Sequence, residues 1–318
     1  MSSNTRFVCP HCGSELKETN RTYDCPNCDR VVGKHYPEFE NFLLDIDLDD
    51  DFQEFYEEEG TKGDDCGGPR ISAQQFKVPN IKRVLPDDLE PDRWLDAGCG
   101  GGWIIEKLLQ EWESGRVAGL DISETRLVEA HHRNPEVEFI RAPVEKIPYP
   151  DNSFELVTAL DVIEHIPDPG ALLKEAHRLS PNLVIKFPIE DTLFDRFQKE
   201  FWWPLKRTLK HWMKGKQPPE HFEPHLHRFN FQSARDLLRD HDFEIVTEHI
   251  SENPWEDNHA TLYPPAYNIT PETPWLRRID FHTKRFILLT MMRSTHLLSP
   301  RLYYKVFSSG IYFHCRRQ

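Results

Sequence analysis

From Arg93 onward, short runs rich in β-branched residues alternate with helix-length segments. RWLDAG, RVAGLD, VEFIRA, FELVTAL and NLVIKFP are five candidate strands. Strands spaced by helices in this way predict a parallel sheet wound by βα units. After Pro188 the rhythm breaks, and residues 189–231 are rich in aromatic, basic and His residues. A helix over Ser233–His241, capped by Ser233, and a strand over Phe243–Ile250 follow. An irregular, Pro-rich and partly helical stretch runs to about Ser309, and GIYFHCRR closes the chain as a strand. The pattern assigns residues 70–318 to one α/β domain with insertions at about 189–231 and 251–309. No internal repeat is visible.

Ahead of this domain the pattern is different. Residues 38–65 hold thirteen carboxylates against the single Lys62, with Gly60, Gly63, Gly67 and Gly68 at the far end. That composition predicts an acidic, solvated linker over 38–69. Its apolar residues, Phe39, Phe42, Leu43, Phe52 and Phe55 among them, recur often enough for a short helix to dock on a neighbour. The chain of 318 residues is 38% hydrophobic, which excludes wholesale disorder and a membrane-embedded protein. Its longest apolar stretch, residues 286–292, is interrupted by Thr290 and falls far short of the ~18–20 residues that span a bilayer. The opening residues MSSNTRFVCPHCG show no apolar signal core, so a cytoplasmic protein is expected.

The net charge of −14 argues against nucleic acid and anionic membrane as partners. Its distribution narrows that statement: residues 1–69 carry −11, 70–191 carry −8 and 192–318 carry +5. The acidity is concentrated in the linker, so it says little about a site in the last two thirds.

Four of the seven cysteines stand near the start as Cys9-Pro-His-Cys12 and Cys25-Pro-Asn-Cys28. Each pair puts two thiolates on one tight turn, and two such turns face to face supply the tetrahedral sulfur set that zinc favours. A structural zinc ribbon over 1–37 is therefore expected. A pair of disulfides fits less well, since Cys66, Cys99 and Cys315 are left over. A redox Cys-x-x-Cys normally occurs once, at a helix start after a strand.

Residues 95–103 read LDAGCGGGW: a strand ending at Asp96 and Ala97, a turn built from Gly98, Gly100, Gly101 and Gly102, and a helix from Trp103. Glycines let the chain turn tightly and let a ligand lie against the backbone. The dinucleotide fingerprint G-x-G-x-x-G would require a glycine where Trp103 stands, and no Gly-Lys-Ser/Thr ending marks a P-loop. What remains is D-x-G-x-G-x-G, followed by a second strand that ends in Asp121 of VAGLDIS. A carboxylate at that place can accept two hydrogen bonds from a ribose diol.

With these blocks the chain resembles the class I S-adenosylmethionine-dependent methyltransferases over roughly residues 93–250. The matching segments are LDAGCGGGW, VAGLDIS, RAPVEKIPYPDNSFELVTALDVIEHIPDP and NLVIKFP. The resemblance implies a seven-stranded, Rossmann-like α/β sheet with helices on both faces and S-adenosylmethionine over the carboxyl ends of the first two strands. It further implies that Asp96, Gly98, Gly100 and Gly102 line the methionine part, that Asp121 binds the ribose, that Ile122 flanks adenine and that Leu160 passes beneath. Relatives often carry Gly-Asp-Ala-Glu where this chain has Ala142-Pro143-Val144-Glu145. The Asp that meets the adenine amino group is Pro143 here, which leaves Glu145 or backbone groups to substitute.

An electrophilic sulfonium needs little beyond alignment and exclusion of water, and a hydroxyl acceptor gains from a base or a metal. Asp161-Val-Ile-Glu164-His165 follows the fourth strand, and positions i, i+3 and i+4 share a face on a helical turn. In ubiquinone-biosynthesis-like O-methyltransferases the similar block is linked to a divalent metal, so an ion such as Mg²⁺ enters as a second candidate cofactor. The other reading is that Glu164 and His165 brace the loop. His165 is the first candidate base. The segment HFEPHLHRFNFQSARDLLRDHDFEIV places His225 where small-molecule methyltransferases often carry a His before a helix, and His221 and His227 cluster with it. An incidental polar loop explains these histidines equally well.

Residues 201–216, FWWPLKRTLKHWMKGK, combine aromatic and basic side chains. A cap helix over the site fits first, peripheral contact with a membrane surface second and nucleic acid third. The leading expectation is a methyltransferase acting on a small-molecule or lipid-linked acceptor at oxygen. The competitor is an rRNA guanine-type base methyltransferase, disfavoured by the acidic N-terminal segment and the lack of an Asn-Pro-Pro-Tyr-type motif. A third reading is an inactive fold whose ribbon recruits a protein partner that the sequence does not identify.

Overall fold

The computed structural model describes residues 6–43, 73–189, 192–193, 226–251, 294–307 and 310–318, together with single helical positions between 275 and 291. The expected cap over 201–216, His221, His225, Cys66 and most of the linker and of both insertions lie outside the described residues.

The five expected strands all form: β5 (Arg93–Ala97), β6 (Arg116–Asp121), β7 (Glu138–Arg141), β8 (Leu156–Leu160) and β9 (Asn182–Pro188). β10 (Phe243–Ile250) and β11 (Gly310–Arg317) complete a seven-stranded unit in the order β7-β6-β5-β8-β9-β11-β10. β11 runs antiparallel between β9 and β10, and the other neighbours in this unit are parallel. Five consecutive residues of β8 are buried. Such continuous apolar runs are what a parallel sheet covered on both faces requires.

The helices are bounded by local chemistry. α1 (Val78–Val84) continues a π-helical turn over Ala73–Lys77, and α2 (Trp103–Leu109) leaves the glycine turn. α3 (Glu124–Arg133) is capped by Ser123, and α4 (Pro169–Leu179) by Asp168 with Pro169 in its first turn. α5 spans Phe231–Arg239 and begins two residues before the expected start. Asn230 is its cap, and Ser233 returns the bond to the Asn230 N–H, so the expected cap residue is the second half of a capping box. α6 (Pro300–Phe307) precedes β11.

The N-terminal segment joins the same sheet. β1 (Lys17–Glu18), β2 (Thr22–Cys25) and β3 (Arg30–His35) form an antiparallel ribbon. β4 (Glu40–Asn41) pairs antiparallel with β3 and parallel with β7, giving eleven strands in one sheet among the described residues. Residues 38–43 thus depart from the expected linker. Phe39 and Phe42 are buried, and the apolar face they supply outweighs the acidic composition around them.

Ribbon and domain meet through Phe7, whose ring lies 5.3 Å from Tyr23, 5.1 Å from Phe42 and 5.1 Å from Tyr149. Glu138 on β7 accepts from Arg6 Nε at 2.7 Å and from the Tyr149 hydroxyl, and Arg116 lies 3.5 Å away. The Val8 N–H donates to the Pro148 carbonyl at 2.9 Å. Phe42→Ala should remove the centre of this contact and cost about 3–5 kcal/mol, read as a lower denaturant midpoint. A loss below ~1 kcal/mol, the scale of an ordinary surface change, would show that the ribbon rests on the domain without stabilising it.

Candidate active site and metal centre

The glycine turn between β5 and α2 uses its glycines for distinct reasons. Gly98 has φ +81°, and a Cβ there would clash with Val162 Cγ2. Gly100 has φ +50° with open space where a side chain would stand. The turn is held from outside by the carboxylate of Asp121, which accepts from Gly100 N–H at 2.8 Å and from Ser123 N–H at 3.0 Å. A carboxylate offers about four acceptor sites, more than its backbone donors here fill. Burial raises the Asp121 carboxyl above its ordinary value. Two further supports come from the end of α3: Arg133 donates to the Gly101 carbonyl and stacks on Trp103, and Asn134 donates to the Gly102 carbonyl at 3.2 Å.

Asp96, one residue before the end of β5, is 1% exposed. Its Oδ1 accepts from Thr158 Oγ1 at 2.6 Å, and Thr158 in turn accepts from Trp94 Nε1 at 3.0 Å. The other oxygen, Oδ2, has no hydrogen-bond partner among the described residues. Burial pushes the Asp96 carboxyl up to about 6, against the Thr158 bond and the charge of Lys77, which favour the ionised form. A buried carboxylate oxygen without a donor beside an open glycine is a place for a polar ligand. Leu160 is buried at the end of β8, and Ile122 is half-buried after β6, where its carbonyl accepts from Arg141 Nε at 2.9 Å. Glu145 is half-buried, and burial raises its carboxyl.

The expected convergence of Asp161, Glu164 and His165 does not occur. Asp161 takes a left-handed φ of +58° at the end of β8. One of its oxygens meets Lys77 Nζ at 2.5 Å, the other Lys186 Nζ at 2.6 Å. Burial acts to raise the Asp161 carboxyl, but the two ammonium groups hold it well below the usual range. With two cations already on it, Asp161 is not set up to ligate a divalent metal or to act as a base. Among the described residues, no group besides the cysteine set below brings three potential ligand residues together, so the Mg²⁺ expectation is not supported there. Glu164 and His165 do meet each other: His165 Nε2 lies 3.5 Å from Glu164 Oε1, with Glu164 buried and His165 partly open. The Glu164 carbonyl accepts from the N–H groups of Leu226 and His227, at 2.8 and 3.1 Å. His225, the residue before them, lies outside the described set.

Sequence reasoning missed Lys77 and Lys186. A lysine inside the apolar run NLVIKFP was the available signal, because a fully buried ammonium requires a counter-charge.

The four ribbon thiols fit a metal. Their sulfurs all lie within 4.8 Å of one another, with Cys9–Cys28 at 3.8 Å, Cys12–Cys25 at 3.6 Å and Cys12–Cys28 at 3.4 Å. Four thiolates at ~2.3 Å from a central zinc stand about 3.8 Å apart in a tetrahedron. Each of the four is a free thiol. Cys28 is pushed up to about 12 by neighbouring Cys12 and Cys25, while Cys12, hydrogen-bonded to Ser14, is lowered to about 5. A dication at the centre would let all four ionise.

Residues 95–182 match the methyltransferase domain family. They are the matched part of a class I S-adenosylmethionine-dependent methyltransferase domain. A ubiquinone biosynthesis O-methyltransferase of Idiomarina loihiensis is 29% identical over 141 residues, 42% of this chain and 51% of that protein. The Pseudomonas paraeruginosa protein of the same name is 34% identical over 90 residues, 27% of this chain and 38% of its own. The chain therefore spans about half or less of these relatives. In fold it is similar to phosphoethanolamine N-methyltransferase 2 of Haemonchus contortus in complex with S-adenosyl-L-methionine, with a TM-score of 0.52 and 14% identity over 86% of this chain and 60% of that one. The open glycine turn, the two accepting carboxylates and the orphaned Asp96 oxygen fit that cofactor.

Asp96 leaves a pH signature in this methyltransferase domain. A carboxyl near 6 in the folded state, against 3.8 as its ordinary value, binds more protons folded than unfolded between those limits. Its contribution to stability therefore falls as pH rises through that window and is constant above it. Asp96→Asn keeps an acceptor for Thr158 without titrating. Wild type should lose stability relative to the variant from pH 4 to pH 6, as followed by denaturant midpoints; parallel profiles would show that Asp96 ionises normally.

Proposed function

We propose that the chain transfers a methyl group from S-adenosylmethionine to oxygen on a small-molecule or lipid-linked acceptor. The observation that carries this reading is the cradle formed by Asp96, the glycine turn and Asp121, set in a domain whose matched relatives are ubiquinone biosynthesis O-methyltransferases. When bound, the cofactor supplies an electrophilic methyl group on a sulfonium. Asp121 accepts from the ribose hydroxyls, Ile122 and Glu145 border the adenine, and Gly98, Gly100 and Asp96 receive the methionine part. Asp96 Oδ2 suits a cationic amino group, whose charge also favours the ionised carboxyl.

His165 is the base in this reading. It takes the acceptor's hydroxyl proton as the oxygen attacks, and the Glu164 carboxylate at 3.5 Å gives the resulting imidazolium a counter-charge and holds the ring. Asp161 does no proton transfer, because Lys77 and Lys186 keep it ionised. The charge of residues 1–69, −11 and concentrated in the acidic stretch that follows the ribbon, weighs against an RNA base as acceptor.

Incubation with methyl-labelled cofactor and fractionated cell extract should place label in small molecules or lipid; label confined to RNA would overturn the acceptor class. With an acceptor in hand, His165→Ala should lower kcat by about 10²–10⁴-fold while S-adenosylhomocysteine affinity is kept. Full turnover in that variant would remove His165 as the base.

A further inference from the structure

We propose that the metal ribbon is part of the support of the cofactor site, and that Arg141 is the positioning residue through which metal occupancy sets cofactor affinity. The inference rests on the methyltransferase reading above. It starts from β4, a two-residue strand placed between β3 of the ribbon and β7 of the domain. β3 begins two residues beyond Cys28, and β2 ends in Cys25, so the cysteine turn sets the start of the hairpin that holds β4.

At the β4–β7 junction Asn41 stands opposite Arg141, and the Phe42 N–H donates to the Arg141 carbonyl at 2.8 Å. Arg141 then acts in the other direction. Its Nε donates to the Ile122 carbonyl at 2.9 Å, and its Nη1 lies 3.2 Å from Glu124 at the start of α3. The next residue, Ala142, donates its N–H to the Asp121 carbonyl at 3.2 Å. One residue of β7 and its successor thus connect the ribbon's last strand to the two residues that receive ribose and adenine, and Asp121 carries the connection on to Gly100.

A ribbon of this size has little core of its own, and without the metal the two cysteine turns lose the bonds that hold them face to face. Loss of the metal releases the β2–β3 turn and, with it, the pairing of β4. β7 then becomes an edge, the Arg141 carbonyl loses its donor, and the turn at Asp121–Ser123 samples more conformers. A ligand that needs one conformer binds more weakly by the fraction lost.

The test is calorimetry of S-adenosylhomocysteine binding to the full chain, zinc-loaded, after chelation confirmed by metal analysis, and after zinc is returned. Chelation should weaken binding about tenfold, about 1.4 kcal/mol, and zinc should restore it. Zinc-loaded Arg141→Ala should show the same weakening, with KM for the cofactor raised and kcat within about twofold. Chelating that variant should cost less than it costs the wild type, because one of the two links from β7 to the Asp121–Ile122 turn is already broken. Arg141→Lys, which keeps a donor and guards against simple misfolding, should recover part of the affinity. Unchanged affinity on chelation, unchanged affinity in Arg141→Ala, or losses that add when combined would each overturn the proposal. Failure of the zinc-loaded wild type to bind at all would instead sink the methyltransferase reading, and this inference with it.

Discussion

The bond from Gly100 N–H to the Asp121 carboxylate, 2.8 Å long, couples the ends of two adjacent parallel strands and creates the site between them. β5 and β6 run side by side in register from Arg93 opposite Arg116 to Ala97 opposite Leu120. Asp121 therefore emerges one step beyond the turn that leaves β5. A glycine at 100 lets the backbone present its N–H there, and Val162 packed against Gly98 closes the other side. Everything the cofactor reading requires follows from this pairing: open backbone, an acceptor at the ribose position, and Asp96 behind the turn with one oxygen unsatisfied. The location obeys the general rule for α/β sheets, in which ligands lie beyond the carboxyl ends of the strands where connections diverge.

The same economy applies at the sheet's far edge. β7 would be an exposed edge in the seven-stranded unit alone, and exposed edges invite wrong pairing. Here the edge is covered by β4 and, beyond it, by the ribbon. The thirteen carboxylates of residues 38–65 account for most of the net charge of −14, yet Glu40 among them lies in a strand, paired to His35 Nδ1 at 2.8 Å. Burial raises its carboxyl above the ordinary value even with that imidazole beside it. Acidic composition alone therefore did not mark where the folded ribbon ends.

Asp161 shows how charge accounting changes the reading of a motif. As residues in a row, Asp161, Glu164 and His165 look like a metal or acid–base group. In space Asp161 takes a left-handed backbone and pairs with two lysines, one from the turn before α1 and one from β9. Glu164 and His165 remain as a pair on the loop that also receives residues 226–227. With both oxygens already engaged by ammonium groups, Asp161 is not presented as a ligand beside them.

Local pattern determined much of this protein. β-branched runs marked five parallel strands, the run of glycines after Asp96 marked the turn between β5 and α2, and paired Cys-x-x-Cys turns marked the ribbon. Each depends on residues close in the chain and on backbone rules that act locally. The helix that begins at Phe231 was legible in the same way, but its expected cap, Ser233, lies three residues after the actual cap Asn230, since Ser233 satisfies the same local rule. Tertiary structure alone decided which distant groups meet: Lys77 and Lys186 on Asp161, Arg133 on the glycine turn, and Arg141 between Ile122 and the ribbon. Those choices depend on strand order and on desolvation of charge, and both arise only when segments far apart in the chain share one low-dielectric interior.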